Sequence, residues 1–196
     1  MGVAEEGRPP TPAGSAAMFL HPSSFPFVAT LERSWEAIRD EMQAIPSERF
    51  IHYGSPSAHA GRWQVYPLVN EIPQAVGENT REVAFANQPS CPKTMALIGG
   101  IRDLSLASFS RLSPGAHIYR HFDYDDPAGY RCHLGLVTNP GARMGFGDEV
   151  QYWQDGRCLV FDPACMHEAA NDGDSDRTIL MIDVLASRYD PLPLDS

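Results

Sequence analysis

The chain has 196 residues, 43% of them hydrophobic and 20% charged, and a formal net charge of −10 at pH 7. This composition can bury a core and a pocket in a single domain and excludes a disordered chain. The acidic balance, with no basic stripe, argues against nucleic-acid binding and electrostatic docking on an anionic membrane. Four cysteines without metal-knuckle spacing make no disulfide framework, and the sequence has no run of about 18 apolar residues. A soluble protein of the reducing cytoplasm is therefore expected.

The first residues, MGVAEEGRPPTPAGSAAMFLHPSS, lack the basic start and long apolar stretch of a signal peptide. Residues 1–24 read as a flexible leader, with Met18 an alternative start, 25–190 as one domain and 191–196 as a tail. From Phe25 to Ile45 the apolar residues Phe27, Leu31, Trp35, Ile38 and Met42 recur every three or four positions. This spacing predicts one amphipathic helix, which Pro46 ends. Residues 52–103 are punctuated by Pro and Gly, so loops, short strands and one more helix are expected there. That stretch is either a lid over a pocket or packing. His52, Tyr53, Arg62 and Trp63 are site candidates only if it is a lid.

From Leu104 onward the pattern changes to strands. Ala107–Leu112 and Ala116–His121 flank the turn residues Ser113-Pro114-Gly115. Arg131–Thr138 follows, and Val150–Gln154 and Arg157–Phe161 flank Asp155-Gly156, a two-residue hairpin signal. The apolar run of residues 177–185, RTILMIDVL, suits a central buried strand. At least six short strands at this spacing predict a mainly β fold, a jelly roll or barrel with the N-terminal helix packed outside.

His121-Phe122-Asp123, followed by His167, forms an HxD…H pattern. On a strand residues i and i+2 share a face, so His121 and Asp123 project together. Two imidazoles and a carboxylate can hold one face of Fe(II) and leave the other face open. Seven histidines also allow such a pattern by chance. Arg177 heads the most apolar strand and calls for an anion, either a ligand carboxylate or Asp172, Asp174 or Asp176 on the adjoining loop. Arg131 and His133 make a second i, i+2 pair, where His133 is either a cavity donor or a satisfied core histidine. His117 and Tyr119 alternate with His121 and are expected to share its face. Tyr124-Asp125-Asp126 is either a substrate contact or a solvated acidic loop.

The stretches SPGAHIYRHFDYDDPAGYRCHLGLV, WQDGRCLVFDPACMHEAAND and DRTILMIDV, with PFVATLERSWEAIRDE and SCPKTMALI before them, resemble the aspartyl/asparaginyl β-hydroxylase family of Fe(II)/2-oxoglutarate-dependent oxygenases. The resemblance runs over roughly residues 25–188. It implies a double-stranded β-helix of cupin-like form, with His121 and His167 as iron ligands. It also implies that Arg177 and Ser110 hold the distal carboxylate of 2-oxoglutarate, with Arg131 and His133 near its metal-chelating end. The family's vertebrate hydroxylases of epidermal-growth-factor domains have glycine at the position of Asp123. The aspartate here is similar to the bacterial branches that keep HxD, which implies a full His121, Asp123, His167 triad. The implied reaction is O2-dependent hydroxylation of a small substrate: an amino acid, a short peptide or a natural-product intermediate. Cyclisation or desaturation at the same centre stays open, as do a cupin-type metalloenzyme without 2-oxoglutarate and a small-anion binding protein.

Overall fold

The computed structural model describes residues 19–54, 57–71, 80–123, 129–186, 189–192 and 194. The segment Tyr124-Asp125-Asp126, residues 1–18 of the expected leader and residues 193, 195 and 196 of the tail lie outside the described residues. In chain order the elements are β1 (Phe19–Leu20), α1 (Val28–Arg33), α2 (Trp35–Gln43), β2 (Ile51–His52), β3 (His59–Ala60) and β4 (Trp63–Asn70). They continue with α3 (Arg81–Asn87), α4 (Pro92–Ile98), β5 (Leu104–Leu112), β6 (His117–His121) and β7 (Gly129–Val137). The last are β8 (Ala142–Phe146), β9 (Glu149–Tyr152), β10 (Cys158–Phe161), β11 (His167–Asn171) and β12 (Arg177–Leu185).

The strands form two antiparallel sheets, one in the order β1-β10-β7-β12-β5-β4-β2 and the other β3-β6-β11-β8-β9. This is the mainly β, double-stranded β-helix architecture expected, with helices packed outside. The central strand β12 shows why its sequence is almost continuously apolar. Leu180, Ile182 and Val184 face the helices, where they pack with Leu31, Ile38 and Met42. Ile179 and Met181 face the smaller sheet and pack with Phe19, Ile118 and Phe146. A strand covered on both faces loses the polar alternation of a half-exposed one. Arg177 and Asp183 share the inward parity with Ile179 and Met181, so β12 carries two charges into the space between the sheets.

The helical stripe of residues 25–45 is two helices rather than one. The break falls at Ser34, whose N–H donates to the carbonyls of Thr30 and Leu31. Trp35 then starts α2 against Gly156, where an added Cβ would meet Trp35 Cδ1 at 2.8 Å. Residues 52–103 hold two further helices, α3 and α4, instead of one. The N-terminus of α4 is capped from α2: the Glu41 carboxylate accepts from Lys93 N, Thr94 N and Thr94 Oγ1, each at 2.8 Å. Thr80 caps α3 by accepting from Val83 N.

Two further differences concern connections. Asp155-Gly156 is not a hairpin turn: β9 pairs with β8 in the smaller sheet, and β10 lies between β1 and β7 in the larger. Gly156, at φ +73°, carries the chain from one sheet to the other with its N–H on Gly135 O. A turn signal specifies a local reversal and says nothing of which sheet each arm joins. Strand β1 also lies ahead of Phe25, where Phe19 and Leu20 pair with Phe161 and Val160. Phe19 is 1% exposed and meets Phe146 edge-to-face at 4.9 Å. Among the described residues no helix is long and apolar enough to cross a membrane.

Candidate functional site

The two histidines of the HxD…H pattern are direct cross-strand partners, His121 on β6 opposite His167 on β11. Beyond that pair the register shifts, with Ile118 opposite Ala169. Strand β6 therefore takes three steps where β11 takes two, a β-bulge that resets which side chains face inward. Ile118 joins His121 in lining the cavity between the sheets. The expectation that His117 and Tyr119 line it is overturned: Tyr119 is 43% exposed, and His117 pairs with Glu168 on the outer face at 3.3 Å. Strict alternation holds only along a regular ladder.

Just past β6, Asp123 is anchored by its backbone N–H on Pro163 O at 3.0 Å. Its Oδ1 lies 3.7 Å from His121 Nε2 and its Oδ2 4.0 Å from His167 Nε2. One ligand atom from each of the three residues falls within a 4.8 Å cluster. His121 Nδ1 sits 2.7 Å from Tyr119 O, and His167 Nδ1 2.8 Å from Cys165 O. A carbonyl only accepts, so each Nδ1 donates and each Nε2 turns toward Asp123. Histidine ligands of metals are typically oriented in this way. Burial pulls the His167 pKa down to about 4, against the opposing effect of the Cys165 carbonyl. For Asp123 burial acts upward, but Arg131, then His167 and His121, outweigh it and hold the carboxyl below its ordinary range. Two imidazoles and one carboxylate are the donor set that a divalent transition metal needs.

Beside the triad stand buried donors that lack acceptors. Arg177 is 1% exposed, and burial lowers its pKa to about 9. One Nη1 contact reaches Ser110 O at 3.4 Å, the guanidinium lies 4.4 Å over the Trp153 ring, and Nε has no partner. The loop carboxylates offered as its alternative partners turn elsewhere, Asp172 to Arg143 at 3.1 Å and Asp176 toward Arg111 at 4.0 Å. Neither ring nitrogen of buried His133 has a partner, nor does Trp153 Nε1. His133 is therefore not a satisfied core histidine. Burial, then Arg131, Arg177 and His167, push its pKa well down, so the ring is neutral. Ser110 Oγ accepts from Trp63 Nε1 at 3.0 Å, which leaves the serine O–H to donate into the cavity.

Of the remaining candidates, Arg131 is held by two carboxylates. Its Nε and Nη2 each lie 2.7 Å from Asp183, and its Nη1 contacts Asp123 Oδ2. Trp63 lines the cavity and Tyr53 packs edge-on against it at 4.6 Å, whereas His52 is exposed on the β2 edge. The β2–β4 stretch thus contributes a cavity wall, through Trp63. The sequence reading missed Trp153 and Asp183. The signal for Asp183 was present, because an acid at inward parity in an apolar strand needs a buried partner. Trp153, in the β9–β10 connection, gave none.

Residues 32–187 match the family model described as aspartyl/asparaginyl beta-hydroxylase. The chain belongs to that family. Aspartate beta-hydroxylase domain-containing protein 2 of Homo sapiens is 33% identical over 172 residues, covering 80% of this chain and 44% of the human protein. The ornithine lipid ester-linked acyl 2-hydroxylase of Rhizobium tropici is 28% identical, covering 86% of this chain and 60% of that one. This hydroxylase-family chain thus spans about half the length of the curated relatives it matches. A 2OG-Fe(II) oxygenase family oxidoreductase from Burkholderia pseudomallei shares the fold at a TM-score of 0.54 and 16% identity, over 86% of this chain and 92% of that one.

Proposed function

We propose that this chain is an Fe(II)/2-oxoglutarate-dependent hydroxylase that oxidises an unactivated C–H bond of a small substrate. One observation carries the reading: a two-histidine, one-carboxylate cluster shares its cavity with the acceptorless donors of Arg177, His133 and Trp153. Unpaired buried donors beside a buried cation are costly without an anion, and a dicarboxylate that also reaches the metal would satisfy both halves of the site.

In this reading His121 Nε2, His167 Nε2 and Asp123 hold iron, and Arg177 with Ser110 takes the distal carboxylate of 2-oxoglutarate. His133 donates at the other end of the cosubstrate. O2 would be the oxidant: iron, when bound, would activate it, two of its four electrons would come from 2-oxoglutarate, which leaves as succinate and CO2, and two from R–H, which becomes R–OH. The protein's own part is orientation and exclusion of water. Trp63 and Trp153 wall the anion end, and Ile179 and Met181 supply an apolar floor. The space between these side chains is only about 30 Å³, so a keto diacid enters with movement of the lining. The substrate class is an amino acid, a short peptide or a natural-product intermediate. The rhizobial relative's name adds an acyl chain to the panel worth screening.

The test is spectroscopic. Anaerobic protein given Fe(II) and 2-oxoglutarate should show the weak visible charge-transfer band of a chelated keto acid. Arg177→Ala should lose the band at the same concentrations, and Asp123→Ala should abolish hydroxylation. Absence of the band in the wild type would sink the reading. Screening the panel for substrate-stimulated succinate formation then identifies what is oxidised.

A further inference from the structure

Asp183 lies directly opposite Arg131 in the β12–β7 ladder, and its side chain is 5% exposed. The two meet through a pair of 2.7 Å contacts, Nε to Oδ1 and Nη2 to Oδ2. A guanidinium is a rigid planar fork, so holding that edge fixes the direction of the third nitrogen. That nitrogen, Nη1, contacts Oδ2 of Asp123. The other Asp123 oxygen, Oδ1, turns toward His121 Nε2 at 3.7 Å.

We infer that Asp183 is a positioning residue for the carboxylate arm of the triad: through Arg131 it holds one oxygen of Asp123 and presents the other to the metal. The inference rests on the metal-site reading above. The geometry explains why two acids share one arginine. An arginine paired with Asp123 alone would favour the two-point, fork-to-fork arrangement and cover both oxygens, leaving none free for a metal. Asp183 occupies the two-point edge and leaves Asp123 a single contact. Asp183 touches neither metal nor substrate in this scheme and acts only through Arg131.

The alternative is that Asp183 merely neutralises a buried arginine, and metal affinity separates the two. The probe is Mn(II) alone, titrated into apo-protein without keto acid, in the wild type, Asp183→Asn, Asp183→Glu and Arg131→Lys. Loss of a group that orients a metal ligand typically weakens binding ~10–100-fold. We expect that loss in Asp183→Asn, with partial recovery in Asp183→Glu. Arg131→Lys keeps a positive charge beside Asp183 but cannot give it a two-point edge while fixing a third nitrogen on Asp123. It should show the same loss, and it decides the matter if Asp183→Asn does not fold. A lower melting temperature with Mn(II) affinity within about twofold of wild type would assign Asp183 a structural role and overturn the inference. Failure of the underlying reading looks different: the wild type would bind no Mn(II), or His167→Ala would bind it equally well.

Discussion

Arg177 carries a charge into a site where 1% of its surface meets solvent and burial alone drags its pKa down to about 9. A depressed basic pKa means that folding disfavours the cation, so at neutral pH the charge weakens the apo-protein. An anion that enters offsets this, which gives Arg177→Met two opposite signatures. Without ligand its melting temperature should equal or exceed wild type, because an unpaired buried charge is replaced by an apolar chain of similar length. Added Mn(II) and 2-oxoglutarate should raise the wild-type melting temperature by several degrees, since saturation to 100 times Kd is worth about 2.7 kcal/mol and each kcal/mol moves a domain of this size by about 2–4 °C. The same additions should leave Arg177→Met nearly unmoved. Thermal melts of both proteins with and without the pair check this, and an equal ligand shift in the variant would show that the anion binds elsewhere. The anion requirement of Arg177 was legible in the sequence, from its place at the head of an apolar strand. The choice between ligand and loop carboxylate was not, because it depends on where Asp172 and Asp176 point.

At the scale of the element, β6 shows where pattern reading stops. Its alternation predicts His117, Tyr119 and His121 on one face, but the bulge opposite His167 and Ala169 places Ile118 with His121 instead. A bulge adds one residue to one strand, and no residue in HIYRH marks it, since none must adopt a positive φ there. The two parities predict opposite outcomes for a buried charge. Tyr119→Lys should stay within about 0.5 kcal/mol of wild type, as ordinary surface changes do. Ile118→Lys, at a position 6% exposed, should cost roughly 3–5 kcal/mol or prevent folding. Urea denaturation of the two variants reads the difference, and a reversed order would restore strict alternation. Strand β12 was more legible: Arg177–Leu185 has the bounds the sequence predicts. In β9 and β10 the strands were legible and their pairing was not, because Asp155-Gly156 encodes a reversal and no partner. The tie between α2 and α4 through Glu41 is likewise a contact between distant residues, invisible to local periodicity.

For the whole molecule, buried neutral histidines make stability a function of pH. His133 is 7% exposed with its pKa driven well below 6.5, and His167, 3% exposed, is pulled to about 4. Below pH 6.5 the unfolded chain therefore binds protons at both positions that the native protein does not, at His167 down to about pH 4. Stability then rises with pH and falls on acidification, by up to about 1.4 kcal/mol per pH unit for each histidine. Asp123 acts in a lower window. Its depressed pKa stabilises the fold above the ordinary carboxylate range, and that contribution is lost only as pH falls through the folded value. The fall from pH 6.5 to 5 thus belongs chiefly to the histidines, and His167 alone contributes up to about 2 kcal/mol of it against a typical total of about 5–15. Urea midpoints of metal-free protein should be level from pH 8 to 7 and then drop steeply toward pH 5, and His133→Gln should remove about half of the slope. Saturating Mn(II) should hold the midpoints up to lower pH, because a metal ligated by His167 competes with its proton. A level profile from pH 7.5 to 5 would mean that these imidazoles protonate without penalty. The cavity between the sheets would then be wetter than the acceptorless nitrogens of His133 imply.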